Sequence, residues 1–147
     1  MLPANVVLAD LAATQALAAA IEPHLRVGDL LALRGDLGAG KTEFARALLR
    51  ARGVTGDVPS PTFTLLQTYE TPGLLISHFD LYRLKSSDEL EELGWDDALT
   101  DGAMLVEWPE RAGQRLPFDR LELHFASVAD GSRSCTIEKR GRWLGRF

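Results

Sequence analysis

The sequence predicts an α/β domain with a mixed parallel and antiparallel sheet, and three observations carry that prediction. A short apolar run, "LLALR" at Leu30–Arg34, leads into a glycine-rich turn and then a helical repeat, the pattern of a strand, a turn and a crossover helix. Two pairs of β-favouring segments, each joined by turn-forming residues, read as hairpins. Another short apolar run, "AMLVE" at 103–107, reads as a further buried strand. Hairpins supply antiparallel pairs and crossovers supply parallel ones, so the sheet is mixed. At 147 residues the chain suits one domain with a real core, expected to span 1–147.

Taken in order, Asp10 is placed to cap a first helix with Thr14, Leu17, Ala18 and Ile21 on one face, ended by Pro23. After the glycine turn, Phe44, Ala47, Leu48 and Ala51 recur at helical spacing, and Gly53 suits the position just past the helix end. "FTLLQTYE" (63–70) and "LLISHFD" (74–80) flank Thr-Pro-Gly as a hairpin. "SSDELEELG" places Ser86 and Glu89 at capping-box spacing and predicts a short acidic helix ending at Gly94. "LELHFASV" (121–128) and "SRSCTIE" (132–138), joined through Ala-Asp-Gly, form the closing hairpin, followed by a basic and aromatic tail from about 139.

Apolar residues make up 46% and charged residues 25%, a globular profile. No apolar run approaches the ~18 residues of a membrane helix, and the N-terminus lacks the basic-then-apolar layout of a signal peptide, so a cytoplasmic location without membrane contact is expected. The one cysteine, Cys135, has no disulfide partner and no metal-ligand spacing to a histidine, and reads as a small buried strand residue. A net charge of −5 without a dense basic stripe makes any nucleic-acid role indirect.

The stretch "RGDLGAGKTEF" (34–44) carries the chemistry. Gly35-x-x-x-x-Gly40-Lys41-Thr42 matches the P-loop pattern, which chance supplies in about one chain of this length in 200, and the flanking strand and helix make chance remote. Glycines at 35, 38 and 40 let the backbone N–H groups of Asp36, Leu37, Gly38, Ala39, Gly40, Lys41 and Thr42 turn toward phosphate oxygens. The helix beginning near Gly40 adds the partial positive charge of its N-terminus. Lys41 then reaches the β and γ phosphates, and the Thr42 hydroxyl ligates Mg²⁺. Glu43 stands where a small hydroxyl residue was expected, predicting a modest loss of affinity.

A phosphate loop needs an acid at the end of another strand, and Asp80 and Glu107 both qualify. Each has a structural alternative: Asp80 as a turn cap or partner of Arg83, Glu107 as a cap on the segment after Pro109. "DVPSPTFT" places the hydroxyls of Ser60, Thr62 and Thr64 after the phosphate-binding helix, the position of a nucleotide switch loop or of a plain proline turn. The sequence has no guanine-reading "NKxD", no "SGG" signature and no arginine-rich lid, so ATP is the default nucleotide.

With "PSPTFT", "HFDLYRL", "ELEELG" and "VEWPE" following the P-loop in order, residues from about 10 to 111 resemble the TsaE (YjeE) family of bacterial ATPases, which serve threonylcarbamoyladenosine formation at position 37 of tRNAs. The resemblance implies Lys41 and Thr42 on phosphate and Mg²⁺, Glu107 as the second metal-side residue, and Asp80 as the catalytic acid acting on water. It implies Ser60 and Thr62 as the loop sensing the γ-phosphate. Trp108 lies near the nucleotide or in the core, and residues 11–14 occupy the place that approaches adenine. Arg133 sits one residue off the family's Gly-Arg step. His78, Tyr82 and Arg83 support either the site or a partner contact.

The implied partners are TsaD and TsaB, reset by ATP hydrolysis between turnovers, with tRNA met through that complex. The acidic stretch 88–97 reads as a partner contact or a solvated helix face, and the tail as an approach to tRNA or a solubilising terminus. A small-molecule kinase and an occupancy switch with negligible hydrolysis are the alternative functions.

Overall fold

The computed structural model describes residues 2–128 and 131–146. One seven-stranded sheet organises them, with strand order β1-β7-β6-β2-β5-β4-β3. Its strands are β1 (Asn5–Leu8), β2 (Leu30–Arg34), β3 (Leu66–Thr71), β4 (Leu74–Asp80), β5 (Ala103–Glu107), β6 (Arg120–Ser127) and β7 (Arg133–Arg140). The central β4, β5, β2 and β6 run parallel, while β3 against β4, β6 against β7 and β7 against β1 are antiparallel. The mixed sheet expected from hairpins beside crossovers is therefore present.

Helices α1 (Leu11–Ile21) and α2 (Lys41–Ala51) cover one face, and α3 (Glu89–Glu92) and α4 (Trp95–Asp101) lie on the other. Side chains alternate across the pleat: Leu31, Leu33, Ile76, Leu105, Leu121 and Leu123 pack toward α1 and α2, while Leu30, Ala32, Phe79, Met104 and Val106 pack with Trp95. Because both faces are covered, β2 and β5 read as nearly continuous apolar runs, each ending in a charged residue.

The local signals act as expected in α1 and α2. Asp10 accepts from Ala13 N at 2.9 Å, and Thr14, Leu17, Ala18 and Ile21 form the buried face. Gly53, at φ 95°, follows α2, with Val54 N donating to Leu49 O and Gly53 N to Arg50 O. Ala51 is exposed; the apolar face of α2 instead includes Ala45 and Leu49.

Several expectations are corrected. The strand foreseen from Phe63 begins at Leu66: residues 62–64 form a turn, Leu65 takes φ 66°, and Phe63 is 80% exposed. The expected short acidic helix is present as α3 and ends before Gly94 (φ 76°), but α4, which follows it, was not foreseen, since its burial depends on Trp95 meeting the Phe79 ring at 5.1 Å. The capping box is displaced: Ser86 Oγ accepts from Asp88 N at 3.2 Å, and Glu89 reaches back to Lys85 N at 3.1 Å.

The tail is part of the fold rather than a free terminus. Lys139 and Arg140 complete β7, and Gly141–Gly145 turn so that Trp143 is fully buried. Arg146 then pairs with buried Asp29 at 2.5 Å and stacks on Trp143. Strand β1 also escaped the sequence reading. Of the expected turn at 129–131, Ala129 and Asp130 lie outside the described residues, as does Phe147.

Candidate functional site

The C-terminal ends of β2, β4 and β5 converge on the start of α2. Gly35 leaves β2 at φ 143°, where a Cβ would stand 2.5 Å from the Phe125 carbonyl oxygen, so no side chain fits. Gly40 is the N-cap of α2 at φ 115°, with no side chain capping the helix. The first N–H groups of the helix are thus left to an external acceptor.

Lys41 is buried beneath this loop. Its Nζ donates to Gly35 O at 2.5 Å and Asp36 O at 2.9 Å, and lies 4.5 Å from the centroid of the Trp108 ring. Burial pulls its pKa below the ordinary lysine value, against the opposing pull of Glu107 and Asp80. A cation held this way, with little exposure to solvent, gains more from an anionic ligand than one in bulk water would.

Two hydrogen-bonded chains flank the lysine. Thr42 Oγ1 donates to Glu107 Oε1 at 2.8 Å, and Glu107 Oε2 lies 2.7 Å from His78 Nε2. Thr62 Oγ1 donates to Asp80 Oδ2 at 2.9 Å, and Ser60 Oγ lies 2.8 Å from Thr62 Oγ1. Asp80 and Glu107 are register partners on adjacent parallel strands, so both carboxylates project from the face that carries α2. Leu81 N, donating to Glu107 O, ties the two strand ends together.

Leu37, Gly38, Gly40, Lys41, Thr42, Thr62, Asp80, Glu107, Trp108 and Arg133 line one cleft. Arg133 passes over Gly40, its Cδ 3.3 Å from where a Cβ would lie. Its offset from the expected Gly-Arg step therefore does not remove it from the site. Asp36 and Ala39 border a separate hollow beside Phe125, and Ser60 reaches the cleft through Thr62. Ala39 N–H donates to Asp36 O at 3.1 Å, closing a turn within the loop.

The structural alternatives resolve residue by residue. Asp80 does cap a turn, through Oδ1 accepting from Tyr82 N at 3.0 Å, while Oδ2 faces the cleft. Arg83 lies 4.4 Å from the Phe63 ring centroid instead of pairing with Asp80. Glu107 faces Thr42 rather than capping the segment after Pro109. Trp108, at φ 58°, is half-buried between Lys41 and the Tyr82 ring at 5.0 Å. A second hollow, bordered by Leu8, Asp10, Leu11 and Thr14, shares Glu43 and Arg133 with the cleft.

A hard divalent cation fits the donor set. The groups at the cleft are hydroxyl and carboxylate oxygens. That matches an ion such as Mg²⁺, which takes one or two protein oxygens and completes its shell with phosphate and water.

The sequence reading missed the Arg34–Glu122 pair behind the loop, with Nε 2.5 Å from Oε1. Arg120 also meets Glu122, at 3.2 Å, and Glu110 lies 3.8 Å from Arg34. An isolated arginine and glutamate 88 positions apart carry no sequence signal of this contact.

Strand, glycine loop, helix and two acid-ended neighbouring strands define a P-loop nucleotide-binding protein. The family model "Threonylcarbamoyl adenosine biosynthesis protein TsaE" matches residues 8–135. The tRNA threonylcarbamoyladenosine biosynthesis protein TsaE of Rickettsia bellii is 40% identical over 138 residues, covering 93% of this chain and 96% of that one. Its Bacillus subtilis namesake is 38% identical over 129 residues, covering 87% and 80%. The crystal structure of Bacillus subtilis YdiB superposes with a TM-score of 0.77 at 31% identity, covering 93% of this chain and 85% of that one. The chain belongs to the TsaE family. Among the described residues no helix is long and apolar enough to cross a membrane.

Proposed function

We propose that this chain acts as a single-unit, Mg²⁺-dependent ATPase in the cytoplasmic machinery that forms N6-threonylcarbamoyladenosine at position 37 of bacterial tRNAs. On this reading it hydrolyses ATP to reset a TsaB–TsaD complex between turnovers, and meets tRNA through that complex. The observation that carries it is the pairing of Thr42 with Glu107 and of Thr62 with Asp80, side by side at the mouth of the P-loop.

The loop amides and Lys41 bind the phosphates, and Arg133 adds positive charge at the same cleft. Thr42 and Glu107 would hold the metal, which when bound would neutralise phosphate charge. Asp80 orients the attacking water and accepts its proton as oxygen bonds to the γ-phosphorus and the bond to the β-phosphate oxygen breaks. Ser60 and Thr62 report the γ-phosphate through their link to Asp80. Leu11 and Thr14 border the place for the base, and Trp108 borders the nucleotide.

Turnover by the purified protein, alone and with the TsaB and TsaD proteins of the same organism, tests the proposal, with Glu107→Ala as the blank. Slow Mg²⁺-dependent hydrolysis that rises with the partners and vanishes in the blank is the expected result. Hydrolysis indifferent to the partners would detach the chain from this machinery, and ATP consumption only with an added metabolite would mark a kinase.

A further inference from the structure

His78 is fully buried on β4, two residues before Asp80 on the same face. Its Nε2 lies 2.7 Å from Oε2 of Glu107, while Oε1 of the same carboxylate accepts from Thr42 at 2.8 Å. Facing a carboxylate, the ring nitrogen is the donor, so Nε2 carries the proton. Nδ1 is buried and has no hydrogen-bond partner among the described residues.

Burying a polar ring with one nitrogen unsatisfied is unfavourable, and an aliphatic side chain would suit the apolar interior around Ile76 and Leu105 better. The contact to Glu107 is what a histidine supplies there that leucine does not. A glutamate's terminal torsion is broad and nearly two-fold, so one hydrogen bond from Thr42 leaves its carboxylate free to turn. A second bond, from the opposite side, fixes the plane.

We infer that His78 is a positioning residue. It holds Glu107 by Oε2 so that Oε1 is presented, together with the Thr42 hydroxyl, to the cation. The inference rests on the Mg²⁺-nucleotide reading above and adds the group that orients the metal-side carboxylate, a role whose loss typically costs about 10- to 100-fold in metal affinity.

The test is calorimetric binding of a slowly hydrolysed ATP analogue, in Mg²⁺ and in EDTA, to wild type, His78→Leu and His78→Gln. We expect His78→Leu to match wild type in EDTA and to lose about tenfold or more of the gain that Mg²⁺ brings. His78→Gln, whose amide places a donor near Nε2, should recover most of that gain. Where His78→Leu gives no cooperative melt, His78→Asn, whose amide is too short to reach Glu107, takes its place with the same expected outcomes.

A variant lacking the donor that keeps the full Mg²⁺ gain overturns the assignment. So does one that loses equal affinity in EDTA, the mark of a general structural lesion. Failure of glutamine to do better than leucine overturns it as well. Wild type showing no gain from Mg²⁺ overturns the underlying reading and this inference with it.

Discussion

Replacing Thr62 with valine keeps the shape of the side chain and removes one hydroxyl. That hydroxyl donates to the buried Asp80 carboxylate at 2.9 Å and meets exposed Ser60 at 2.8 Å, so it couples the 58–65 loop to Asp80, the proposed catalytic acid. A hydrogen bond to a charged acceptor contributes about 1.5–3 kcal/mol, and about 1.4 kcal/mol is a factor of ten. Thr62→Val should therefore weaken the loop's hold on Asp80 by one to two powers of ten while leaving the P-loop itself unchanged. Steady-state kinetics and separate nucleotide-binding measurements provide the assay: kcat should fall by about 10- to 100-fold with the binding constant nearly unchanged. Ser60→Ala, which loses an exposed hydroxyl contact, should fall by about threefold or less. Wild-type turnover in Thr62→Val, or equal losses in both variants, would refute the argument that the Thr62–Asp80 bond is the link.

Two further predictions concern the scaffold behind the cleft. Trp143→Ala empties a fully buried site under β6 and β7 and should cost about 3–5 kcal/mol, lowering the thermal midpoint by about 10 °C or more; a change under 1 kcal/mol would mean the tail is not part of the core. Burial alone would raise the pKa of Glu122, but the hydrogen bonds and charges of Arg34 and then Arg120 hold it below the ordinary glutamate value of 4.5. The sign follows from the lowered folded pKa: this group contributes stability above about pH 4.5 that is lost as pH falls through its folded value. Urea unfolding of wild type and Glu122→Gln should show a constant difference between pH 7 and pH 5 that shrinks below about pH 4.5, and a pH-independent difference would contradict the pairing.

Much of the site was legible because its signals are local. The P-loop spacing, the cap at Asp10 and the acids ending two apolar runs each depend on backbone conformation or on position within one strand, which a short stretch of sequence encodes. Other features depend on what a segment meets in space. Strand β1 exists because β7 offers an edge to it, with Asn5 opposite Thr136, and four residues alone do not announce that pairing. Helix α4 exists because Trp95 finds Phe79, and the polar residues around it mask the burial. The tail looked solvent-bound because its arginines dominate its composition, yet Arg146 is drawn inward by the buried carboxylate of Asp29, 117 residues earlier.

The sequence by itself determined the strand–loop–helix unit, the residue types at the mouth of the loop, and the two acids that complete the cleft. The tertiary structure decided how those residues are aimed. Asp80 divides its two oxygens between a turn and Thr62, Ala39 spends its amide inside the loop, and Glu107 is gripped from both sides by Thr42 and His78. The division has a physical cause. Backbone preference and apolar periodicity act over a few residues, whereas the orientation of a carboxylate is set by hydrogen-bond donors that other strands and loops bring within 3 Å.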